Sequence, residues 1–343
     1  MKERFADGTR SASIGCDPEF FIFDKNGKTV PAHRLFPSKH EKRALTGYTH
    51  GPIKAFRDGY AVEVNTGASH CRAFLLEDVR AALLALQEIV RPKGYTMRAV
   101  STVPIDLADT MKDAPADCLE FGCDPSFDAY KLTAKLPTID AKTHPWRYAG
   151  GHMHFSIPTS TPNASLSYGN TILGNPDSVL NRPDEYPMLA KLFDLYIGLP
   201  LSSIFHRPEQ YARRRYYGQA GEFRPQTYPG AIGFEYRTPG PEMWNHHAIA
   251  GLAFGVGKLI CVPENYARLK KAWDKTIEDD LQCAINTGYR RYKLMKEVPG
   301  FYNDDVIRKL WRKGFWDLQI VNSQGDLHSG WSESAAAWNI VLP

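Results

Sequence analysis

Gly15-Cys16-Asp17-Pro18-Glu19-Phe20-Phe21-Ile22-Phe23 reads as a β-strand with one unusual face. Residues two apart share a face of a strand, so Asp17 and Glu19 point the same way, with Phe21 and Phe23 further along. Two acids on a strand end that is otherwise strongly apolar are costly to bury without a partner. A divalent cation is one such partner and an Arg is another. A strand end fraying into water would need neither.

Three further segments repeat the design. In Ala61-Val62-Glu63-Val64-Asn65-Thr66, Glu63 and Asn65 oppose Val62 and Val64, a pattern an ordinary half-exposed strand also shows. In Gly150-Gly151-His152-Met153-His154-Phe155-Ser156-Ile157, His152, His154 and Ser156 oppose Met153, Phe155 and Ile157. The two glycines allow close approach of backbone or ligand. A His-x-His pair on a strand is a common metal-site element, although a pair bonded to neighbouring carbonyls looks the same. In Gly233-Phe234-Glu235-Tyr236-Arg237-Thr238-Pro239-Gly240, Glu235 and Arg237 share a face, which could be a local ion pair of little consequence. Solvated strand faces favour Thr, Lys, Ser and Gln, whereas these faces hold Asp, Glu, His, Asn and Arg, the residues that ligate metals and clamp phosphates. If the four strands are neighbours in one sheet, its polar face can hold Mg²⁺ and an anion. Arg213-Arg214-Arg215 and Arg224 lie just upstream of Glu235 and suit bidentate phosphate binding, with at least one of the run expected to be merely solvated. His206 and Arg207 are weaker candidates of the same kind.

The rest of the chain bounds the answer. Its 343 residues are 43% hydrophobic and 23% charged, enough for a sizeable core in one large domain or two ordinary ones. A net charge of +4, scattered rather than clustered, does not make a nucleic-acid groove. The six cysteines include no Cys-x-x-Cys pair and read as reduced thiols. The polar N-terminus lacks a signal-peptide core, and Ala248–Val262 is too short and broken to span a bilayer. A cytoplasmic protein is therefore expected. Gly255-Val256-Gly257-Lys258 lacks the first Gly and the final Ser or Thr of a phosphate loop, so it reads as core helix.

Strands are expected at Ser13–Asp24, in Ala55–Asn65 around a turn at Asp58-Gly59, at Leu119–Asp124, Arg147–Ile157 and Gly233–Arg237. Helices are expected at Phe74–Val90, Met188–Phe205, Glu264–Ile285 and Asp304–Lys313. Pro158–Pro187, rich in Pro, Asn, Ser, Thr and Gly, is either a lid or a surface insertion. The fold class is α+β, mainly one antiparallel sheet backed by helices. No composition shift divides the chain, so residues 1–343 read as a single domain whose last third, from about residue 244, is helical.

In their order these motifs resemble the glutamine synthetase-like carboxylate–amine ligase superfamily, and within it the phage-associated amidoligases (COOH–NH₂ ligase type 2). The resemblance rests on G-x-E-x-E-F-F-x-F, met here by Gly15–Phe23 with Asp17 for the first Glu. It also rests on G-x-H-x-H-x-S, met by Gly151–Ser156, and on an Arg block followed by R-x-P and x-E-x-R-x-P, met by Arg213–Arg215, Arg224-Pro225 and Phe234–Pro239. The blocks span Gly15 to Pro241. The resemblance implies a curved sheet with a polar catalytic face, as in glutamine synthetase and guanidino kinase catalytic domains. It implies ATP and Mg²⁺ (or Mn²⁺) as cofactors, and amide formation through an acyl phosphate.

Glu19 and Glu63 would hold one metal, and Asp17, His152 and Glu235 the other. Arg224, Arg213, Arg215 and His154 would face the nucleotide, and Arg237 the substrate carboxylate or transferred phosphoryl group. Glu63, Arg224 and Arg237 would form the catalytic set. The third ligand beside Glu19 and Glu63 is unassigned; Asp124 is a candidate, because Gly122-Cys123-Asp124-Pro125 echoes Gly15-Cys16-Asp17-Pro18. No ammonia-site motif is recognisable, which speaks against glutamine synthesis itself, and no residue stands out as the base for the amine. The substrates would be a small-molecule or peptide carboxylate and an amine. Three other readings stay open: a guanidino kinase-like phosphotransferase, a cupin-like metalloenzyme built on the His pair, and a non-catalytic phage protein of the same fold. The cupin pattern needs a Glu shortly after the second His, where Ile157, Pro158 and Thr159 stand.

Overall fold

The structure is a computed structural model that describes residues 12–41, 43–45, 50–119, 126–135, 139–158, 177–289 and 293–294. Its strands, in chain order, are β1 (Ser13–Phe23), β2 (Thr29–Val30), β3 (Arg43–Ala44), β4 (Lys54–Asp58), β5 (Ala61–Asn65), β6 (Thr96–Arg98), β7 (Thr102–Pro104), β8 (Ser126–Asp128), β9 (Thr133–Lys135), β10 (Trp146–Tyr148), β11 (Gly151–Pro158), β12 (Glu222–Tyr228) and β13 (Ala231–Tyr236). The α-helices are α1 (Arg72–Val90), α2 (Leu107–Thr110), α3 (Tyr186–Phe193), α4 (Leu199–Ile204), α5 (Pro208–Arg214), α6 (His247–Ile260), α7 (Pro263–Lys271) and α8 (Glu278–Thr287).

Among the described residues, eleven strands form one sheet in the order β3-β4-β5-β1-β11-β13-β12-β8-β9, with β2 and β6 pairing on the far end of β1. Every pairing in it is antiparallel. The four strands singled out in the sequence are thus consecutive neighbours, β5-β1-β11-β13, and the condition for a shared polar face is met.

Alternation decides which face is which. Ile14, Cys16, Phe20 and Ile22 of β1 join Val62, Val64, Met153, Phe155, Ile157, Phe234 and Tyr236 in one core with residues of α1, α3 and α6. Each large aliphatic or aromatic side chain buried there stabilises the fold by roughly 1.5–3 kcal/mol. The opposite face holds Asp17, Glu19, Glu63, His152, His154 and Glu235. Phe21 and Phe23, on that same side of β1, are covered by a smaller cluster with Tyr60, Ala61, Val103, Ile105 and Ala149. Pro18 has no N–H to give a ladder, and it falls where β1 stops pairing with β11 and begins pairing with β5.

Several elements differ from expectation. The Met188–Phe205 helix is interrupted by a π turn at Asp194–Gly198. There the buried Asp194 carboxylate accepts hydrogen bonds from Tyr130 Oη (2.9 Å) and Tyr236 Oη (2.6 Å), tying the helix to the back of β13. Burial pushes this carboxyl up to about 7 against those hydrogen bonds. The expected Glu264–Ile285 helix is divided into α7 and α8 around a 3₁₀ turn at Lys275–Ile277. Strand β12 has no counterpart in the sequence reading. Leu119 closes a 3₁₀ turn, Ala116–Leu119, and the rest of the strand expected to Asp124 lies outside the described residues. So do Asp124 itself, residues 159–176 of the expected lid, and the Asp304–Lys313 helix. Helix α6 is apolar because it is buried from Ile249 to Gly257. No single helix among the described residues is long and apolar enough to cross a membrane; α6 and α7 pass such a test only as a pair bent by 83°.

Candidate active site

The registers assemble the polar face residue by residue. Asp17 lies opposite His152, Glu19 opposite Glu63, His154 opposite Glu235, and Glu235 opposite Arg224. The hairpin of β4 and β5 adds Asp58, a residue expected in its turn. Asp58 pairs with Ala61 and Phe56 with Glu63, so the turn is Gly59-Tyr60, with Gly59 at φ 54° as a two-residue turn with Gly first requires. Asp58 therefore ends β4 on the Glu63 side of the sheet. Carboxylate oxygens of Glu19, Asp58 and Glu63 all lie within 4.8 Å of one another. This supplies a third acid beside Glu19 and Glu63.

The two ends of this face differ electrically. Burial, reinforced by Asp58, pushes Glu19 up to about 8. Burial and then Asp17, Asp58 and Glu19 raise Glu63 well above the usual range. Asp58 is raised by burial too, although Lys39 opposes the shift. Among the described residues no Lys or Arg forms an ion pair with any of these three. At the other end Arg237 Nη1 hydrogen-bonds Glu235 Oε1, and Arg224 Nη1 (3.3 Å) and Gln226 Nε2 bond Oε2. Burial alone would raise Glu235; Arg237, His154, His152 and Arg224 outweigh it and bring the carboxyl down to about 2. One end is a set of mutually repelling acids that a divalent cation fits, and the other has its charge already balanced.

The histidines stand between. His154 Nε2 contacts Asp17 Oδ2 at 2.8 Å and Nδ1 contacts Tyr228 Oη at 2.7 Å. Burial opposes its protonation, but Asp17, by charge and hydrogen bond, raises it overall. Asp17 also accepts from Asn65 Nδ2 at 2.7 Å, and the same nitrogen reaches Glu63 Oε1 at 2.8 Å. His152 is held neutral by burial and by Arg237. Its Nδ1 lies 3.5 Å from Glu235 Oε1 and 3.8 Å from Glu19 Oε1. The expected second set, Asp17, His152 and Glu235, is therefore divided: His152 faces Glu235 and Glu19, while Asp17 is engaged with His154 and Asn65. No three-ligand group among the described residues contains a histidine, so the geometry gives the cupin-like reading no support.

The arginines have separate fates. Arg237 is buried between Glu235 and Glu222, with Nε 3.7 Å from Glu222 Oε1. Glu222 is in turn bonded by Lys135 Nζ (2.7 Å) and Ser126 Oγ (3.0 Å). Arg213, fully buried, donates to the carbonyls of Thr238 (3.1 Å), Arg237 (3.1 Å) and Pro239 (3.0 Å). That is the geometry of a brace behind the site, not of a phosphate clamp. Arg214 is buried against the Ile285 carbonyl, and burial and Arg213 push it down to about 10. Arg215 is exposed, as one of the three was expected to be.

Gly150 shows why the strand opens on glycine. Its N–H donates to Glu19 Oε2 at 2.7 Å, and a Cβ there would collide with the His152 ring and Tyr217 Oη. Gly150→Ala is expected to cost about 1–3 kcal/mol by overpacking, read as a lower midpoint in urea, and to weaken Mn²⁺ binding by displacing Glu19. An unchanged midpoint would mean the ring has room to move.

Residues 183–318 match the family model described as phage phiEco32-like COOH.NH2 ligase-type 2, the family that the order of motifs resembles. The match takes in Arg213–Arg215, Arg224, Glu235 and Arg237 and continues to residue 318. The strands bearing Asp17, Glu19, Asp58, Glu63 and the His pair precede it. No curated protein matches the chain. Among solved structures it is similar to "Apo GmaS without ligand" at 13% identity and TM-score 0.33, covering 86% of this chain and 69% of that one. It is also similar to "Crystal structure of novel glutamine synthase homolog" at 12% identity and TM-score 0.37, covering 90% and 72%. At these scores neither likeness bears on the site, whose reading rests on the chain's own residues.

Proposed function

With the likeness of residues 183–318 to a COOH.NH2 ligase family as premise, we propose that the chain is an ATP-dependent carboxylate–amine ligase working through an acyl phosphate. The observation that carries this reading is the convergence of Glu19, Asp58 and Glu63 within 4.8 Å, beside a sheet face that ends in Arg224 and Arg237. Phosphoryl transfer needs positioning and charge neutralisation more than acid–base chemistry, and this face offers both. Glu19, Asp58 and Glu63 would hold a divalent cation. Bound there, the cation would neutralise charge on the phosphate oxygens and orient the incoming carboxylate.

In the reaction a carboxylate oxygen attacks the γ-phosphorus of ATP, the bond to the β-phosphate oxygen breaks, and ADP leaves. The amine nitrogen then attacks the acyl carbon, inorganic phosphate departs, and the nitrogen gives up a proton. Arg224 and Arg237 already engage the Glu235 carboxylate, so their guanidinium groups lie where a transferred phosphoryl group or a substrate carboxylate could share their donors. Arg213 fixes the backbone that carries Arg237. The substrates are a small-molecule or peptide carboxylate and an amine. A screen for ATP-dependent phosphate release against pooled acids and amines, with mass spectrometry of products, tests this. A product equal to acid plus amine minus water supports the ligase; a stable phosphorylated product would instead make the chain a kinase.

The same acids set a pH dependence. Glu19 and Glu63 bind a proton more tightly folded than unfolded, so the cation-free chain loses stability as pH rises from about 4.5, the usual Glu value, towards 8. Divalent-cation binding competes with those protons and strengthens over the same interval. Thermal melts at pH 5, 6.5 and 8 should show Mn²⁺ stabilising most at pH 8. Equal stabilisation at all three would contradict the site.

A further inference from the structure

A group of aromatic rings lies on the approach to the acidic face, outside the residues assigned to phosphoryl transfer. Strand β10 leads into β11 through Ala149 and Gly150 alone, and side chains alternate along the run. Arg147 and Ala149 turn inward: Arg147 donates to the carbonyls of Ala141 (2.7 Å) and His144 (2.8 Å), and Ala149 joins the cluster of Phe21 and Tyr60. Trp146, Tyr148 and Gly150 turn the other way. Gly150 N–H donates to Glu19 Oε2, and a Cβ there would point at the His152 ring and Tyr217 Oη, so this side of the run faces the site. Two residues back, about 7 Å along an extended chain, Tyr148 meets the rings. Its centroid lies 5.7 Å from that of His144 and 5.4 Å from that of Tyr216, and those of His144 and Tyr216 are 5.4 Å apart. Tyr216 comes just beyond α5, and the next residue, Tyr217, hydrogen-bonds His152 Nε2 and lies 3.4 Å from Glu19 Oε1. Two separate segments thus place a ring next to a residue that touches the site.

The outer edge of this apron is open. Tyr216 is 36% exposed, and Trp146, on the same side of β10 as Tyr148, is 43% exposed. Arg215, exposed next to Tyr216, brings a positive charge that reaches the rings: burial and then Tyr216 raise the Tyr148 hydroxyl above its usual range, while Arg147 and Arg215 oppose the shift. Exposed aromatic faces favour an aromatic partner over an aliphatic one of equal area, and the charge favours an anion over an amine. We propose that the acid substrate carries an aromatic ring, which packs on Tyr216 and Trp146 while its carboxylate passes Gly150 to the cation held by Glu19, Asp58 and Glu63. A spacing of about 7 Å between Tyr148 and Gly150 fits a ring joined to its carboxylate by a short chain, as in an arylalkanoic acid. The ring site stands on these contacts; that its ligand is consumed rests on the ligase reading.

Ligand-observed NMR titrations of the full chain test this, with 3-phenylpropionate, 3-cyclohexylpropionate and 3-phenylpropylamine as probes. The aromatic acid should bind about 2- to 10-fold tighter than its cyclohexyl counterpart, and tighter than the amine. Tyr216→Leu and Trp146→Leu keep an apolar side chain at an exposed position and remove the ring. Each should reduce that preference, and Arg215→Gln should weaken the acid but not the amine, with urea midpoints of all three variants matching wild type. Equal binding of the two acids overturns the ring site, as does a preference that survives both ring variants. Displacement of 3-phenylpropionate by adenosine would make the rings a nucleobase site and overturn the assignment to the acid. ATP-dependent phosphate release with aliphatic acids alone leaves the ligase reading in place and overturns this inference. Ring-dependent binding in a chain that releases no phosphate with any acid and amine supports the ring site and counts against the ligase.

Discussion

Asp58→Asn is expected to abolish amide formation, by roughly 10²-fold or more, while making the cation-free chain more resistant to heat. Both effects come from one geometry. Asp58 is one of three acids whose oxygens lie within 4.8 Å of one another, and its charge helps to raise both Glu19 and Glu63. Without a cation that crowding is repulsive, so an amide of the same shape relieves it. With a cation the missing charge is a missing ligand. Melting curves with and without Mn²⁺ should therefore cross: the variant melts above wild type without the ion and below it with saturating ion. A variant that melts lower in both conditions would make Asp58 an ordinary structural residue. Retained turnover would remove it from the site.

Arg237→Met is expected to act in the opposite direction on stability. Arg237 is buried between Glu235 and Glu222, and removing one partner of a buried ion pair costs about 3–5 kcal/mol because a charge is left uncompensated. Glu235, now held near 2, would then titrate upward. The double change Arg237→Met with Glu235→Gln removes one stranded charge and should recover a good part of that loss in urea unfolding, without recovering phosphate release. Full activity in the single variant would show that Arg237 is scaffold alone.

The face that carries these residues was legible because alternation is local: each strand shows its own polar side, and the four strands prove to be consecutive neighbours. Register is not local. A turn placed at Asp58-Gly59 instead of Gly59-Tyr60 shifts the pairing of β4 by one residue, and a one-residue slip moves a side chain to the other face or into the turn. That slip hid Asp58 and left the third acid to be sought at Asp124. Strand β12 was hidden by Pro225, which a strand tolerates only where one side is open. The pairing of β12 with β8 stops at Phe223, two residues earlier. Composition identified the arginine run but not its burial: Arg213 is a brace because three carbonyls at the end of β13 converge on it, a tertiary fact. Tyr217 and Gly150 are likewise defined by what packs against them.

If this face activates a carboxylate by moving a phosphoryl group onto it, isotope transfer reads that step directly. Once the screen yields a substrate pair, the acid is labelled with ¹⁸O in its carboxylate and the released inorganic phosphate is examined by mass spectrometry or ³¹P NMR. An acyl phosphate requires one ¹⁸O to appear in the phosphate for each amide formed, with transfer lost in Asp58→Asn. Phosphate that carries no ¹⁸O while amide accumulates would exclude an acyl phosphate.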